Sequence, residues 1–136
     1  MADPRGFVSF HIDHNEDEKI LFIGQSKNKK TPFNFEDWSS KSELPQSKWE
    51  QIIKDKINKC NFVVVLVGKN MLSATGVAKE ISFAKECDVP VFGVYVGGAD
   101  TSSVLPAGLA RNRCISWDWD NIASAIETVM KEGKNK

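Results

Sequence analysis

The hydrophobic positions of this chain fall into short apolar runs that alternate with longer amphipathic stretches. The most apolar run, residues 62–67, reads Phe-Val-Val-Val-Leu-Val without a polar interruption. Such a run is typical of a central parallel strand that is covered on both faces. Residues 46–59 differ, because their apolar side chains recur at the i, i+3, i+4 and i+8 spacing of one helix face. The two periods together predict strands and helices within one fold.

The same pattern predicts five strands and four helices that alternate along the chain. The strands are predicted at 7–12, 33–35, 62–67, 91–96 and 114–117. The helices are predicted at 16–26, 46–59, 77–87 and 118–131, and the tail 132–136 is expected to fray. This order predicts one α/β domain over residues 1–136, with an ordered core at about 6–131. Right-handed crossovers favour a flavodoxin-like three-layer sandwich, with a five-stranded parallel sheet in order 2-1-3-4-5.

Glu80 interrupts the apolar face of the third predicted helix. At about 100° per residue, Val77, Ile81 and Ala84 share one side, and Glu80 falls on that side. An unpaired carboxylate in a dry core is costly, so we expect Glu80 to be paired or to reach an opening. A carboxylate that is partly removed from water in a cleft is a common catalytic group. A side chain that bends out to water remains the alternative.

The expected sheet order brings several polar residues to one rim. In open α/β sheets, ligands bind beyond the carboxyl ends of the strands where the strand order reverses, here between the first and third strands. The residues that converge there are His11, Asp13, Asp37, Trp38, Gly68, Lys69 and Glu80. His11 could act as an acid or base or form only a hydrogen-bonded wall. Trp38 could stack on a ring or pack the sheet edge.

Composition narrows the class of protein. A length of 136 residues suits one core, and eighteen basic residues balance eighteen acidic ones. This neutrality gives no broad attraction for nucleic acid or a membrane surface, and we expect neither as a partner. Three widely spaced cysteines without a CxxC motif, and no signal peptide, point to the cytoplasm. No apolar run approaches the ~18 residues that span a bilayer, and two histidines argue against a His-rich metal site.

Several motifs for nucleotide and acyl chemistry are missing. The pair Gly68-Lys69 lacks the GxxxxGK[ST] pattern of a phosphate loop, and the chain has neither GxGxxG nor GxSxG. The third predicted strand ends in Val67-Gly68 rather than in the Asp that a phosphoacceptor domain requires. We therefore expect no bound cofactor and no metal.

Three segments of the chain resemble TIR-like domains. Residues 7–12, Phe-Val-Ser-Phe-His-Ile, resemble the opening strand, and residues 34–38, Asn-Phe-Glu-Asp-Trp, resemble the segment at the second strand. Residues 62–68, followed by 77–81, resemble the strand and the helix that bears the catalytic glutamate of the family. The likeness extends from residue 7 to about residue 117 and is greatest to the bacterial subfamily of the Thoeris anti-phage system.

The resemblance implies cleavage of the nicotinamide–ribose bond of NAD⁺, which is then a substrate rather than a cofactor. It also implies release of an ADP-ribose-derived nucleotide, linear or cyclic, that signals to a separate effector protein. Glu80 maps onto the catalytic glutamate of the family. Other residues are expected to bind the substrate. They are Ser9, Phe10, His11, Asp37, Trp38, Gly68, Lys69 and Gly76.

Gly76 departs from the family pattern. Many TIR enzymes carry Trp four residues before the glutamate, where this chain has Gly76. The departure favours an alternative function, a non-catalytic TIR-like module that acts by homotypic assembly. A bare domain also implies regulation by self-association or by a separate partner. A third interpretation, a flavodoxin-like nucleotide or flavin binder, stays open.

Overall fold

The computed structural model describes residues 4–12, 15–28, 34–39, 45–69, 71 and 74–136. The prediction for Asp13 lies outside these residues, and so do the predictions for the side chains of Asp37 and Trp38, of which only the backbone is described. No helix in these ranges is long and apolar enough to cross a membrane.

One parallel sheet of five strands forms the centre of the fold, in the order β2-β1-β3-β4-β5. The strands are β1 (Arg5–Ser9), β2 (Asn34–Trp38), β3 (Phe62–Val67), β4 (Val91–Tyr95) and β5 (Cys114–Ile115). The helices are α1 (Glu16–Asn28), α2 (Gln46–Asn58), α3 (Thr75–Glu86) and α4 (Trp119–Val129). The prediction of an α/β fold with a parallel sheet is confirmed.

The central strand β3 is covered on both faces, because all six of its side chains are fully buried. Successive side chains of a strand point to opposite faces. Val64 and Leu66 accordingly belong to the core that contains α1 and α4, whereas Val63 and Val65 belong to the core that contains α2 and α3. Each buried Val or Leu contributes about 1.5–3 kcal/mol. The apolar run therefore holds the two helical layers together.

Strand β1 ends earlier than its sequence pattern predicts. It stops at Ser9 rather than at residue 12. The reason is that the Phe10 N–H leaves the ladder and donates a hydrogen bond to Ser39 Oγ over 3.1 Å. The chain turns at this point, and the residues after β1 become the edge of a cleft.

The C-terminal tail is docked rather than frayed. The Lys134 N–H donates to the Asp88 carbonyl over 2.7 Å. The side-chain amide of Asn135 donates to the carbonyls of Asn61 and Val129 over 2.7 and 3.0 Å. The tail was expected to fray because it is polar. It is held instead because carbonyls at turns and at a helix end have no partner in regular structure and accept its hydrogen bonds.

Candidate active site

A cleft of about 140 Å³ opens at the carboxyl ends of β1 and β2. Its wall is formed by residues 10–12 after β1, Ser39 after β2, Trp49 of α2, residues 74–77 at the start of α3, and Glu80. Parallel strands place their carboxyl ends at one edge of the sheet, and α3 begins shortly after β3 at that same edge. The fold therefore brings these separate segments to one place.

Glu80 lies at this cleft and is fully buried, as its position on the apolar face of α3 predicts. Its Oε1 accepts hydrogen bonds from Ser9 Oγ at 2.7 Å and from Ser39 Oγ at 2.5 Å. Its Oε2 has no hydrogen-bond partner among the described residues. The carboxylate thus has one oxygen held by the protein and one buried oxygen without a hydrogen-bond partner among the described residues.

Burial raises the pKa of Glu80 to about 7, although the hydrogen bonds from Ser39 and Ser9 act to lower it. The neighbouring cation on α3, Lys79, pairs with Glu50 of α2 instead. A carboxyl group with a pKa near neutrality can exist in either protonation state at small cost, which is what acid–base catalysis requires, and its ionised form can stabilise a nearby cation.

Aromatic and open surfaces line the rest of the cleft. Phe10 is 3% exposed and Trp49 is half-buried, and both contribute to the wall. A Cβ atom at Gly76 would meet no atom within 4 Å, so this glycine leaves open space beside the cleft. A flat ring could lie against such a wall, since aromatic side chains pack well on planar groups.

The predicted site residues divide into two groups. Phe10, His11 and Gly76 line the cleft with Glu80, and Ser9 lies behind Glu80 with no exposed surface. Their roles stay predictions, but the structure brings them together.

Gly68 and Lys69 lie elsewhere. A Cβ atom at Gly68 would lie 2.5 Å from the side-chain amide of Asn15, so the Asn15 side chain covers this glycine. Lys69 is exposed, and its side chain lies beside Gly98 after β4. The chain after β3 therefore turns these two residues away from the cleft wall.

Six residues of the cleft wall were not predicted from the sequence, and two of them, Ser39 and Trp49, bear most on its chemistry. Ser39 follows β2 directly, and the only signal for it was a hydroxyl at a strand end on the expected rim. Trp49 belongs to the apolar face of α2, and helical spacing alone does not distinguish a core residue from a residue at the cleft.

Comparisons with known proteins complete the description. A family model described as the TIR-like domain of the Thoeris protein ThsB matches residues 7–101, which include every residue of the cleft wall. Among solved structures, one match is to the TIR domains of the activated Roq1 resistosome that directly recognises the pathogen effector XopQ. That match has a TM-score of 0.49 and 20% identity, and it covers 73% of this chain and 60% of that chain, which is less than two thirds of its length. The comparison with curated proteins gives no match.

Proposed function

This chain belongs to the TIR-like domain family of the Thoeris protein ThsB, and we propose that it cleaves the bond between nicotinamide and ribose in NAD⁺. The observation that carries the proposal is the Glu80 carboxylate at the cleft, fully buried and with Oε2 free of partners among the described residues. Burying such a group is costly, and a fold that only needed packing would place an apolar side chain there.

The chemistry suits a carboxylate at this position. The bond between the nicotinamide nitrogen and ribose C1′ breaks, and its electron pair leaves with nicotinamide. Positive charge then develops on the ribose as oxocarbenium character, as in glycoside cleavage. Ionised Glu80 stabilises that charge through Oε2. Water that attacks C1′ and loses a proton gives ADP-ribose, whereas attack by a group of the same molecule gives a cyclic product.

The partners of Glu80 are compatible with this role. Ser9 and Ser39 are neutral donors, so they orient the carboxylate without cancelling its charge. A salt bridge at the same place would have neutralised that charge within the protein. The developing cation of the substrate is then the opposite charge for Glu80.

The size of the cleft limits how NAD⁺ binds. A volume of about 140 Å³ is smaller than the roughly 300–1,000 Å³ of typical ligand pockets, so NAD⁺ inserts only its nicotinamide end, and the wall moves to admit it. The nicotinamide ring lies against Phe10 and Trp49, and His11 contacts the ribose or a phosphate. The ribose reaches Oε2 by displacing side chains of the wall, and the space beside Gly76 gives them room.

The proposal extends to signalling. As a Thoeris-type domain, the chain would release an ADP-ribose-derived nucleotide, linear or cyclic, that activates a separate effector protein during anti-phage defence. Mass analysis of the products identifies the nucleotide, and adding the product to candidate effectors tests the second step.

The central experiment compares the wild type with Glu80→Gln and with Glu86→Gln at high protein concentration, with and without extract from phage-infected cells. Glu86 lies on the exposed face of the same helix and serves as the matched control. Free nicotinamide and the mass of the nucleotide product are measured. We expect Glu80→Gln to release nicotinamide at least about 100-fold more slowly and Glu86→Gln to match the wild type. Undiminished release by Glu80→Gln would exclude the catalytic role.

A second function, homotypic assembly, is favoured by an exposed apolar pair on α1. Ile20 and Leu21 are adjacent on α1 and are 57% and 55% exposed. Such a pair can contribute to a protein contact. A chain that acts only by assembly would keep its biological function in Glu80→Gln and lose it in Leu21→Lys. Sedimentation of both variants, combined with a phage-protection assay, separates the two functions.

A further inference from the structure

Ser39 is fixed at the junction of the sheet and the cleft. It follows β2 directly and is 4% exposed. Its N–H donates to the Val8 carbonyl over 3.0 Å, and its Oγ accepts the Phe10 N–H over 3.1 Å. Backbone and side chain are thus both attached to the end of β1, which restricts the position of the hydroxyl.

The hydroxyl has one proton to donate, and this proton goes to Glu80. Ser39 Oγ lies 2.5 Å from Oε1, and Ser9 donates to the same oxygen. A hydroxyl offers one donor and two acceptor sites. Because the Phe10 N–H occupies an acceptor site, the donor direction toward Glu80 is favoured.

Two donors from adjacent strands hold one oxygen of a carboxylate that belongs to a helix. Ser9 stands on β1 and Ser39 at the end of β2, so rigid elements support both. The orientation of the carboxylate group is then set, and the buried Oε2 is the oxygen without a partner among the described residues.

We propose that Ser39 is a positioning residue, which orients Glu80 so that Oε2 is the oxygen presented to the substrate. This inference rests on the proposed catalytic role of Glu80. Without the Ser39 hydroxyl, the carboxylate turns more freely and its charged form loses a donor. The rate of the chemical step then falls, while the affinity for NAD⁺ changes little.

A purely structural role would have a different signature. In that case the Ser39 hydroxyl matters only because it satisfies the buried Phe10 N–H, and its loss lowers the melting temperature alone. Ser26 gives a matched control, since it is also a buried serine and donates to the Ile23 carbonyl within α1. Ser26→Ala removes a buried hydroxyl far from Glu80.

The experiment measures kcat, KM and their pH dependence for the wild type, Ser39→Ala, Ser39→Cys and Ser26→Ala. The thiol of Ser39→Cys is similar in size and a weak donor, which keeps the test available if Ser39→Ala does not fold. We expect kcat to fall about 10- to 100-fold in Ser39→Ala, with KM nearly constant. The acidic limb of the kcat–pH profile should move to higher pH by about one unit. The kcat of Ser39→Cys should lie between those of the wild type and Ser39→Ala, and Ser26→Ala should keep the wild-type kcat and pH profile. An unchanged kcat and pH profile in a folded Ser39 variant would overturn the inference.

A second measurement separates this inference from the proposed function. The Glu80 carboxyl carbon is titrated by NMR and assigned by comparison with Glu80→Gln. Its signal reports Glu80 apart from His11, the other titratable side chain of the cleft wall in the described ranges. If the wild type releases no nicotinamide, the proposed function fails. The Ser39 variants still decide whether Ser39 positions Glu80, because a raised midpoint shows that the hydroxyl donates to the carboxylate and an unchanged midpoint rejects the inference.

Discussion

Ser9 donates a hydrogen bond over 2.7 Å to Oε1 of Glu80, although 71 positions separate the two residues along the chain. Both are fully buried. The bond is between a neutral donor and an acid, so it favours the charged form without supplying a countercharge. Burial dominates, and the pKa of Glu80 rises to about 7.

This pKa predicts a specific dependence of stability on pH. The unfolded chain has the ordinary value of 4.5, and the folded chain about 7, so the folded state keeps a proton that the unfolded state releases. The stabilising contribution is complete below 4.5 and is lost as the pH rises through about 7. Relative to Glu80→Gln, the wild type should lose about 3 kcal/mol of unfolding free energy between pH 4.5 and 8. Urea unfolding of both proteins across this range is the measurement, and parallel curves would contradict the prediction.

Trp49 is predicted to bind the nicotinamide ring of NAD⁺. Stacking of a ring on an aromatic side chain contributes about 1–3 kcal/mol. Trp49→Ala should therefore raise KM for NAD⁺ by about 5- to 150-fold, while Trp49→Phe retains most of the affinity. Ile52→Ala, on the same helix and 43% exposed, is the control and should change nothing. A KM that is the same in Trp49→Ala and the wild type would remove Trp49 from the binding site.

Two glycines are predicted to respond in opposite ways to alanine. A Cβ atom at Gly76 enters open space in the first turn of α3, so Gly76→Ala should stabilise the fold by about 0.5–1 kcal/mol. A Cβ atom at Gly68 lies 2.5 Å from the buried side chain of Asn15, so Gly68→Ala should destabilise it by about 1–3 kcal/mol. Chemical denaturation of the two variants checks both signs. Equal changes in the free energy of unfolding would contradict the difference in space around the two glycines.

The docked tail predicts a stability effect without a catalytic one. Asn135 donates to the carbonyls of Asn61 and Val129 and accepts from the Asn61 side chain. Asn135→Ala should cost about 1–3 kcal/mol, because three partly buried hydrogen bonds are lost. Nicotinamide release should stay at the wild-type rate. Thermal unfolding and the release assay test both parts, with exposed Lys131→Ala as the control.

The local part of the site could be predicted from the sequence. The burial of Glu80 follows from its helical phase relative to Ile81 and Ala84, and the coverage of β3 follows from its unbroken apolar run. Both properties depend on residues within a few positions, where periodicity is informative. The α/β class follows from the same reasoning.

The distant part of the site could not be predicted. The donors to Glu80 come from positions 71 and 41 residues away, and no local pattern specifies which hydroxyl reaches a given carboxylate. Gly68 lies at the expected strand end, but the Asn15 side chain covers it and it does not line the cleft. Strand order gives the edge of the sheet, and side-chain packing decides which residues on that edge meet.

The docked C-terminus also has a practical consequence. Asn61 and Asp88, which hold the tail, precede β3 and β4, whereas the cleft lies beyond the carboxyl ends of β1 and β2. Strands of five or six residues separate these edges by about 15–20 Å. A fluorophore or a sensor-chip linkage at exposed Lys136 would therefore leave the cleft facing the solution. Nucleotide binding could then be followed on immobilised protein without the attachment competing for the site.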